Sequence, residues 1–216
     1  MRPRLPLCPV AALAALGLAA TPLAAQQLPS APPGAHDPAK IKAGSYQIDP
    51  DHTQVRFGVL HLGFNPYYGV FSGASGSLTI DPAHPERATV DVSVPVASVM
   101  TTSSKLDEEL RSSAWLDAQH FPTIRFVADH VLVNGTTARV WGKLTLHGVT
   151  RPIMLEVAFV GAGIMPMGGG PTVGFTARGV LRRSDFGVTA GLPLVSDEVT
   201  IGITCAFEQG QVTAAR

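Results

Sequence analysis

The chain has 216 residues, and its sixteen Lys and Arg balance sixteen Asp and Glu. Loss of Arg2 and Arg4 with the N-terminal leader leaves a slightly acidic chain, which excludes the basic stripe that nucleic-acid binding requires. Of the two cysteines only Cys205 lies outside that leader, so no internal disulfide staples the fold and a hydrophobic core must carry it.

Residues 1–25 read as an export signal. Arg2 and Arg4 open it, an Ala/Leu-rich run extends from Val10 to Ala20, and Leu23-Ala24-Ala25 supplies small residues for cleavage. The apolar run is about eleven residues against roughly 20 for a spanning helix, so the mature chain is expected to be soluble and periplasmic. Residues 26–43 are rich in Pro and Ala with few large apolar side chains and are expected to form a flexible linker. A single domain is expected over 44–208, followed by a tail at 209–216.

Within that domain, eight segments alternate apolar and polar residues with period two, and each ends in Gly, Pro, Asn or Asp. Val55, Phe57, Val59 and His61 share the face of the first, and Leu78 and Ile80 that of the second. The third aligns Val90, Val92, Val94 and Val96 against Thr89, Asp91 and Ser93. In the fourth, Ile124 and Phe126 oppose Arg125 and Asp129; Asn134-Gly135 then predicts a type I′ hairpin into the fifth, with Val140, Leu144 and Leu146 on its apolar side. The sixth aligns Ile153, Leu155, Val157 and Phe159, the seventh Val173, Phe175 and Ala177, and the eighth Val199, Ile201, Ile203, Cys205 and Phe207. One helix interrupts the series from Ser104 to about Ser113, with Ser104 as its cap and Leu106 and Leu110 on one face.

Eight strands with one apolar face each would leave that face wet in an open sheet, so the sheet must close or fold into two layers. The expected architecture is all-β: an eight-stranded antiparallel barrel with a short helix between strands three and four. Such a barrel is just wide enough to be filled by its own side chains or to hold one thin ligand. Gly58, Gly69, Gly73, Gly76, Gly142, Gly174, Gly179 and Gly202 lie within the strand segments and favour a cavity, either by removing side-chain volume or by permitting curvature.

Four blocks occur in order. They are Tyr46-Gln47-Ile48-Asp49 with His52-Thr53-Gln54-Val55-Arg56-Phe57 and His61-Leu62-Gly63; Leu110-Arg111-Ser112 with Phe121-Pro122-Thr123-Ile124-Arg125-Phe126; Leu144 through Pro152; and Arg183-Ser184-Asp185-Phe186-Gly187. With these blocks the chain, from Ser45 to Glu208, resembles the YceI-like family of secreted bacterial proteins. That resemblance implies a lipocalin-like barrel that binds a polyisoprenoid, with transient membrane contact for loading and release, no required cofactor, and a homodimer left open. The family commonly carries Arg-Asp-x-His-Leu-Arg-Ser on the helix, whereas Leu106 and Glu109 stand here in place of its Arg and His. That substitution favours an uncharged headgroup over a diphosphate, which calls for several cationic partners.

The inward-pointing candidates for a lipid contact are Val55, Phe57, Val59, His61, Val92, Val94, Leu110, Ile124, Phe126, Leu144, Leu155, Val157, Phe175, Ile201 and Ile203. His61, Arg111, Arg125 and Asp185 are the headgroup candidates, with Arg151, Arg178 and Arg183 as further cations able to meet an oxyanion. Seven histidines invite a metal, yet none stands at ligand spacing from another. Asp185-Phe186-Gly187 repeats a kinase tripeptide without the other kinase motifs, and no nucleophile elbow or cofactor loop is present. The expected function is a periplasmic carrier enclosing an isoprenoid quinone or prenyl phosphate, not an enzyme. An enzyme on such a lipid, with His61 and Asp185 as acid and base, and a ligand-free module with a filled core are the alternatives.

Overall fold

Each alternating segment pairs antiparallel with its neighbours in a computed structural model that describes residues 29–166 and 169–210. The export signal, the first linker residues, Gly168 and the tail beyond Gly210 fall outside those residues. The strands are β1 Gly44–Ile48, β2 Gln54–His61, β3 Asn65–Phe71, β4 Ser75–Ile80, β5 Thr89–Pro95, β6 Thr123–Asn134, β7 Thr137–Leu146, β8 Val149–Ile164, β9 Pro171–Arg182 and β10 Glu198–Glu208; helix α1 spans Ser104–Arg111.

Ladders run β1-β4-β5-β6-β7-β8-β9-β10, and β10 returns to β1 through Gln47 opposite Glu208 and Ile48 opposite Phe207, which closes the barrel. The other half of β10 pairs with β2, and β2 with β3. β1 and β2 are one stave broken at a turn where Asp49 accepts hydrogen bonds from the Asp51 and His52 amides (2.9 and 3.2 Å). β3 and β4 are a second, broken where Gly73 takes a φ of 67°. So counted, the barrel has the eight expected staves, with α1 between the third and fourth.

Two bulges reset the alternation. An extra residue between Ala128 and His130 moves the inward set of β6 from Ile124, Phe126 and Ala128 to Val131 and Val133. A second, between Phe159 and Gly161, does the same in β8, where Phe159 and then Ala162 are buried. Such bulges bend a strand and strengthen its twist, as closure demands.

Several local expectations shift. The β6–β7 loop is Gly135-Thr136, with Asn134 still paired to Thr137 and a positive φ only at Gly135 (61°), the pattern of a type II′ turn rather than an Asn-Gly type I′ turn. His147 and Gly148, by contrast, both take positive φ (50° and 73°) between β7 and β8. The helix is capped by Ser103, whose hydroxyl accepts from the Leu106 amide (3.4 Å), one residue before the expected cap.

The described part of the linker is held against the barrel rather than being a free spacer. β8 runs past the end of β7, so its last residues present an unpaired edge, and Ala35 exchanges two 3.0 Å backbone hydrogen bonds with Ala162 there. His36 Nδ1 lies 3.1 Å from the Val160 carbonyl, Asp37 caps a 3-10 turn at Pro38–Lys40, and Ile41 packs on the core cluster around Tyr46 and Phe207. A side chain at Gly163 would meet the Pro33 carbonyl at 2.3 Å, so the close approach of this strap depends on that glycine.

Candidate functional site: a two-chamber apolar lumen

Residues that point inward from every stave enclose an outer chamber of about 670 Å³ and an inner chamber of about 390 Å³. Val55, Val92, Val94, Phe126, Leu155 and Ile203 line both, so the two abut at one waist within the barrel. Each volume falls in the range of roughly 300–1,000 Å³ typical of small-molecule sites.

Period-two geometry delivers the walls. On β2, Val55, Phe57, Val59 and His61 all face the outer chamber, as their shared parity requires. Ile124, Leu144 and Ile201 face it from β6, β7 and β10, and Leu110 from α1. Val157 and Phe175 line only the inner chamber. All fifteen positions read from the alternation as lipid contacts therefore border the lumen.

The strand glycines act less by leaving space than by receiving rings. Gly69 is directly opposite Phe57, and a Cβ there would meet the Phe57 ring at 2.3 Å. Gly142 is opposite Ala128 and diagonal to Phe126, and a Cβ there would meet the Val127 carbonyl oxygen at 2.4 Å and the Phe126 ring at 2.5 Å. Both rings thus lie flat on the wall. Gly58 and Gly202 point outward and contribute no lumen space.

Polar groups concentrate at the outer end. His61, Asn65, Tyr67, Ser103, Glu109 and Arg183 border the outer chamber there. The Tyr67 hydroxyl lies 3.1 Å from Thr102 Oγ1, a contact that lowers the phenol's pKa. Trp115 Nε1 donates to Glu109 Oε1 (3.2 Å), and the Arg183 guanidinium stacks 5.4 Å from the centre of the Trp115 ring. The His61 ring makes no hydrogen bond among the described residues, which leaves it free to meet a ligand; its backbone is tied by a bridge to Val195.

Three of the four headgroup candidates sit elsewhere. Arg111 Nη1 donates to the Val99 and Ala97 carbonyls (3.2 and 3.4 Å) and secures the segment before α1. Arg125 is on the outer face of β6, where Nε donates to Asp91 Oδ1 (2.8 Å); the alternation places it opposite Ile124 and Phe126. Asp185 is exposed within the 3-10 turn Arg183–Phe186, with Arg151 Nε donating to its backbone carbonyl (3.2 Å). It does not border the lumen, so no His61–Asp185 acid–base pair is assembled there. Arg178 is outside as well, paired to Glu156 (2.7 Å).

Arg183 is the one arginine of that group that is buried against the lumen, and it is already engaged. Nε donates to the Ser196 carbonyl (2.9 Å), Nη1 to Val188 and Ala190 (3.0 and 2.7 Å) and Nη2 to Val195 (2.9 Å). Burial lowers its pKa and the nearby Asp197 opposes that shift. These bonds make it a strut that folds loop 183–197 over the mouth. Cys205 faces the inner chamber, where burial pushes its thiol up to about 11. Among the described residues no three His, Cys, Asp or Glu side chains gather as metal ligands.

Sequence reasoning missed the β3 contributions Asn65, Tyr67 and Phe71, because Asn-Pro-Tyr-Tyr-Gly shows no alternation. It also missed the strap residues Pro38, Ala39 and Ile41, which border the inner chamber.

A closed antiparallel barrel with an apolar lumen and a polar mouth defines a class of container proteins, and sequence comparison narrows the class. The YceI-like domain family matches residues 46–207, and the chain belongs to that family. A UPF0312 protein of Enterobacter sp. (strain 638) is 37% identical over 164 residues, covering 75% of this chain and 85% of the relative. Protein YceI of Salmonella arizonae is 36% identical over the same shares. Among solved structures, Burkholderia cenocepacia BcnA superposes with a TM-score of 0.66 at 24% identity, covering 74% of this chain and 98% of that one. The Campylobacter jejuni YCEI protein superposes at 0.59 with 26% identity, covering 66% and 85%. A polyisoprenoid binding domain from Saccharophagus degradans superposes at 0.57 with 15% identity, covering 76% and 98%; this likeness concerns the fold.

Proposed function

We propose that this chain is a periplasmic carrier that holds one long isoprenoid lipid in its lumen and acts as a binding protein rather than as an enzyme. The observation that carries the reading is the pair of abutting chambers, about 670 and 390 Å³, walled by aliphatic and aromatic side chains from all eight staves. A two-chamber apolar lumen suits a long chain, and His61, Asn65, Tyr67, Glu109 and Arg183, which border only the outer chamber, suit a head left at the mouth. The Saccharophagus degradans domain of the same fold is a polyisoprenoid binder, which favours that class of lipid. The leader at residues 1–25 favours export.

An uncharged head such as a quinone ring fits this mouth better than a phosphate. Arg183 spends its donors on backbone carbonyls, Arg111 and Arg125 lie off the lumen, and Glu109 borders it. A diphosphate would meet a carboxylate and no free cation among these groups. Each buried methylene is worth about 0.8 kcal/mol against water, but the lipid starts in a membrane, so net transfer is near balance and release stays feasible.

Native mass spectrometry of the mature protein from a periplasmic fraction, followed by lipid extraction, tests the reading. One prenyl lipid per chain is expected, and an equal offer of prenyl quinone and prenyl diphosphate should load the quinone. Recovery of ligand-free protein that takes up neither would overturn the proposal.

A further inference from the structure

The hairpin β2–β3 leaves the barrel. β10 supports β2 only from Gln54 to Gly58; beyond that point β2 is propped by loop 183–197 instead, through Leu60 N to Ser196 Oγ (2.9 Å), Ser196 N to Leu60 O (2.9 Å) and Leu62 N to Leu194 O (2.7 Å). The tip, Leu62-Gly63-Phe64, is therefore held out in a fixed pose. Leu62 sits at a φ of 52°, a left-handed conformation that costs a branched residue about 1–2 kcal/mol.

The outer side of this ribbon is apolar and its inner side mixed, with His61 and Asn65 nearer the tip than Val59 and Tyr67. Its inner side brings Val59 and Tyr67 to the mouth of the outer chamber. Its outer side carries Leu60, which pairs with Pro66, and Tyr68, which pairs with Gly58; Met100 joins the far edge by exchanging two 2.9 Å hydrogen bonds with Val70. Phe64 is 86% exposed and Leu194 62%, and Leu60, Leu62, Tyr68 and Met100 are exposed as well. Contiguous large apolar residues on a soluble domain mark an interaction site.

Charge singles out the partner. No Asp, Glu, Lys or Arg occurs from Phe57 to Ile80, from Val92 to Ser104, or from Phe186 to Ser196, the three segments that carry the exposed apolar residues of the tip, whereas Glu109 and Arg183 border the mouth itself. A protein interface keeps a polar rim around its apolar core, whereas aromatic and aliphatic side chains without charge enter the headgroup layer with no ion to desolvate. The patch is also continuous with the mouth of the lumen.

We propose that the projecting β2–β3 hairpin, with Leu194 and Met100, is a membrane-docking tip that enters the lipid headgroup layer and sets the mouth of the lumen against the bilayer. This rests on the carrier reading for its purpose, though the surface stands on its own geometry. Docking through uncharged residues should need no anionic lipid and should persist at high salt.

The test uses the mature chain and the double substitution Leu62→Gln/Phe64→Ser, neither of which borders the lumen. Flotation on phosphatidylcholine vesicles, at low and high salt, reads docking. Transfer of a long-chain polyprenol from donor to acceptor vesicles reads its consequence, and polyprenol bound at equilibrium from detergent reads the lumen. Loss of two apolar anchors is expected to weaken flotation and slow transfer by at least about tenfold, with equilibrium loading unchanged. Unchanged flotation and transfer would overturn the proposal. So would sedimentation velocity showing that the wild type dimerises through this patch while neither protein floats. A wild type that floats but takes up no polyprenol upholds the docking surface and defeats the carrier reading alone.

Discussion

Ile203 stands at the waist between the chambers, on β10 between Val55 of β2 and Ala177 of β9. Ile203→Phe extends a side chain into lumen space, and the sign of its effect separates an open lumen from a filled core. In a core packed by its own side chains, added volume forces strain of about 1–3 kcal/mol. Beside a lumen the ring finds room and covers further apolar wall; at ~25 cal/mol per Å², some tens of Å² contribute about 1 kcal/mol. For a domain of this size that raises Tm by roughly 2–4 °C. The same ring narrows the way into the inner chamber, about 390 Å³ beside an outer chamber of about 670 Å³, roughly a third of the lumen. Calorimetry of the delipidated variant should therefore give a higher Tm, and competition among polyprenols of graded length should shift its preference to shorter chains. A lower Tm with unchanged length preference would refute the two-chamber account.

Deleting residues 29–42 should leave a folded barrel, since the first strand begins at Gly44, but should lower Tm by about 4–8 °C through loss of Ile41 packing and the Ala35–Ala162 pair, and should speed release of long chains in an exchange assay. Arg183→Leu leaves the Val188, Ala190, Val195 and Ser196 carbonyls without their donor and is expected to cost about 3 kcal/mol, seen as a drop in urea midpoint, with hydrogen exchange rising first in loop 183–197. Cys205, held at about 11, should alkylate at pH 8 about two orders of magnitude more slowly than a free thiol, and its rate should climb with pH until that value. His52 is raised by its hydrogen bond and attraction to Asp49, so the stability it adds is fully present below about pH 6.5 and fades as pH rises through its folded pKa. His52→Gln should thus destabilise only on the acid side of that window, as thermal melts at graded pH would reveal.

Period-two alternation is written residue by residue, which is why the strands, the inward face of each and the lumen-lining set could be read before any contact was known. The hydrophobic effect sorts each stave independently: Val92 and Val94 turn inward because Asp91 and Ser93 must not. Arg125 was legible by the same rule, since Ile124 and Phe126 flank it, yet as a cation it attracted a role that its parity forbids. The strap escaped notice because Pro-rich composition reports what a segment lacks. The free edge of β8 that captures Ala35 arises 127 positions away and exists only because β7 stops short. Arg183 likewise looked like one cation among five until the fold wrapped residues 188–196 around it. The docking tip has the same origin: Leu62 and Phe64 are ordinary apolar residues in the sequence, and only the end of β10's ladder at Gly58 leaves them projecting beyond the barrel. The sequence alone determined which faces are apolar, because that is a property of each residue. Tertiary structure alone decided where staves bulge, end and meet, because those are balances between groups that become neighbours only on folding.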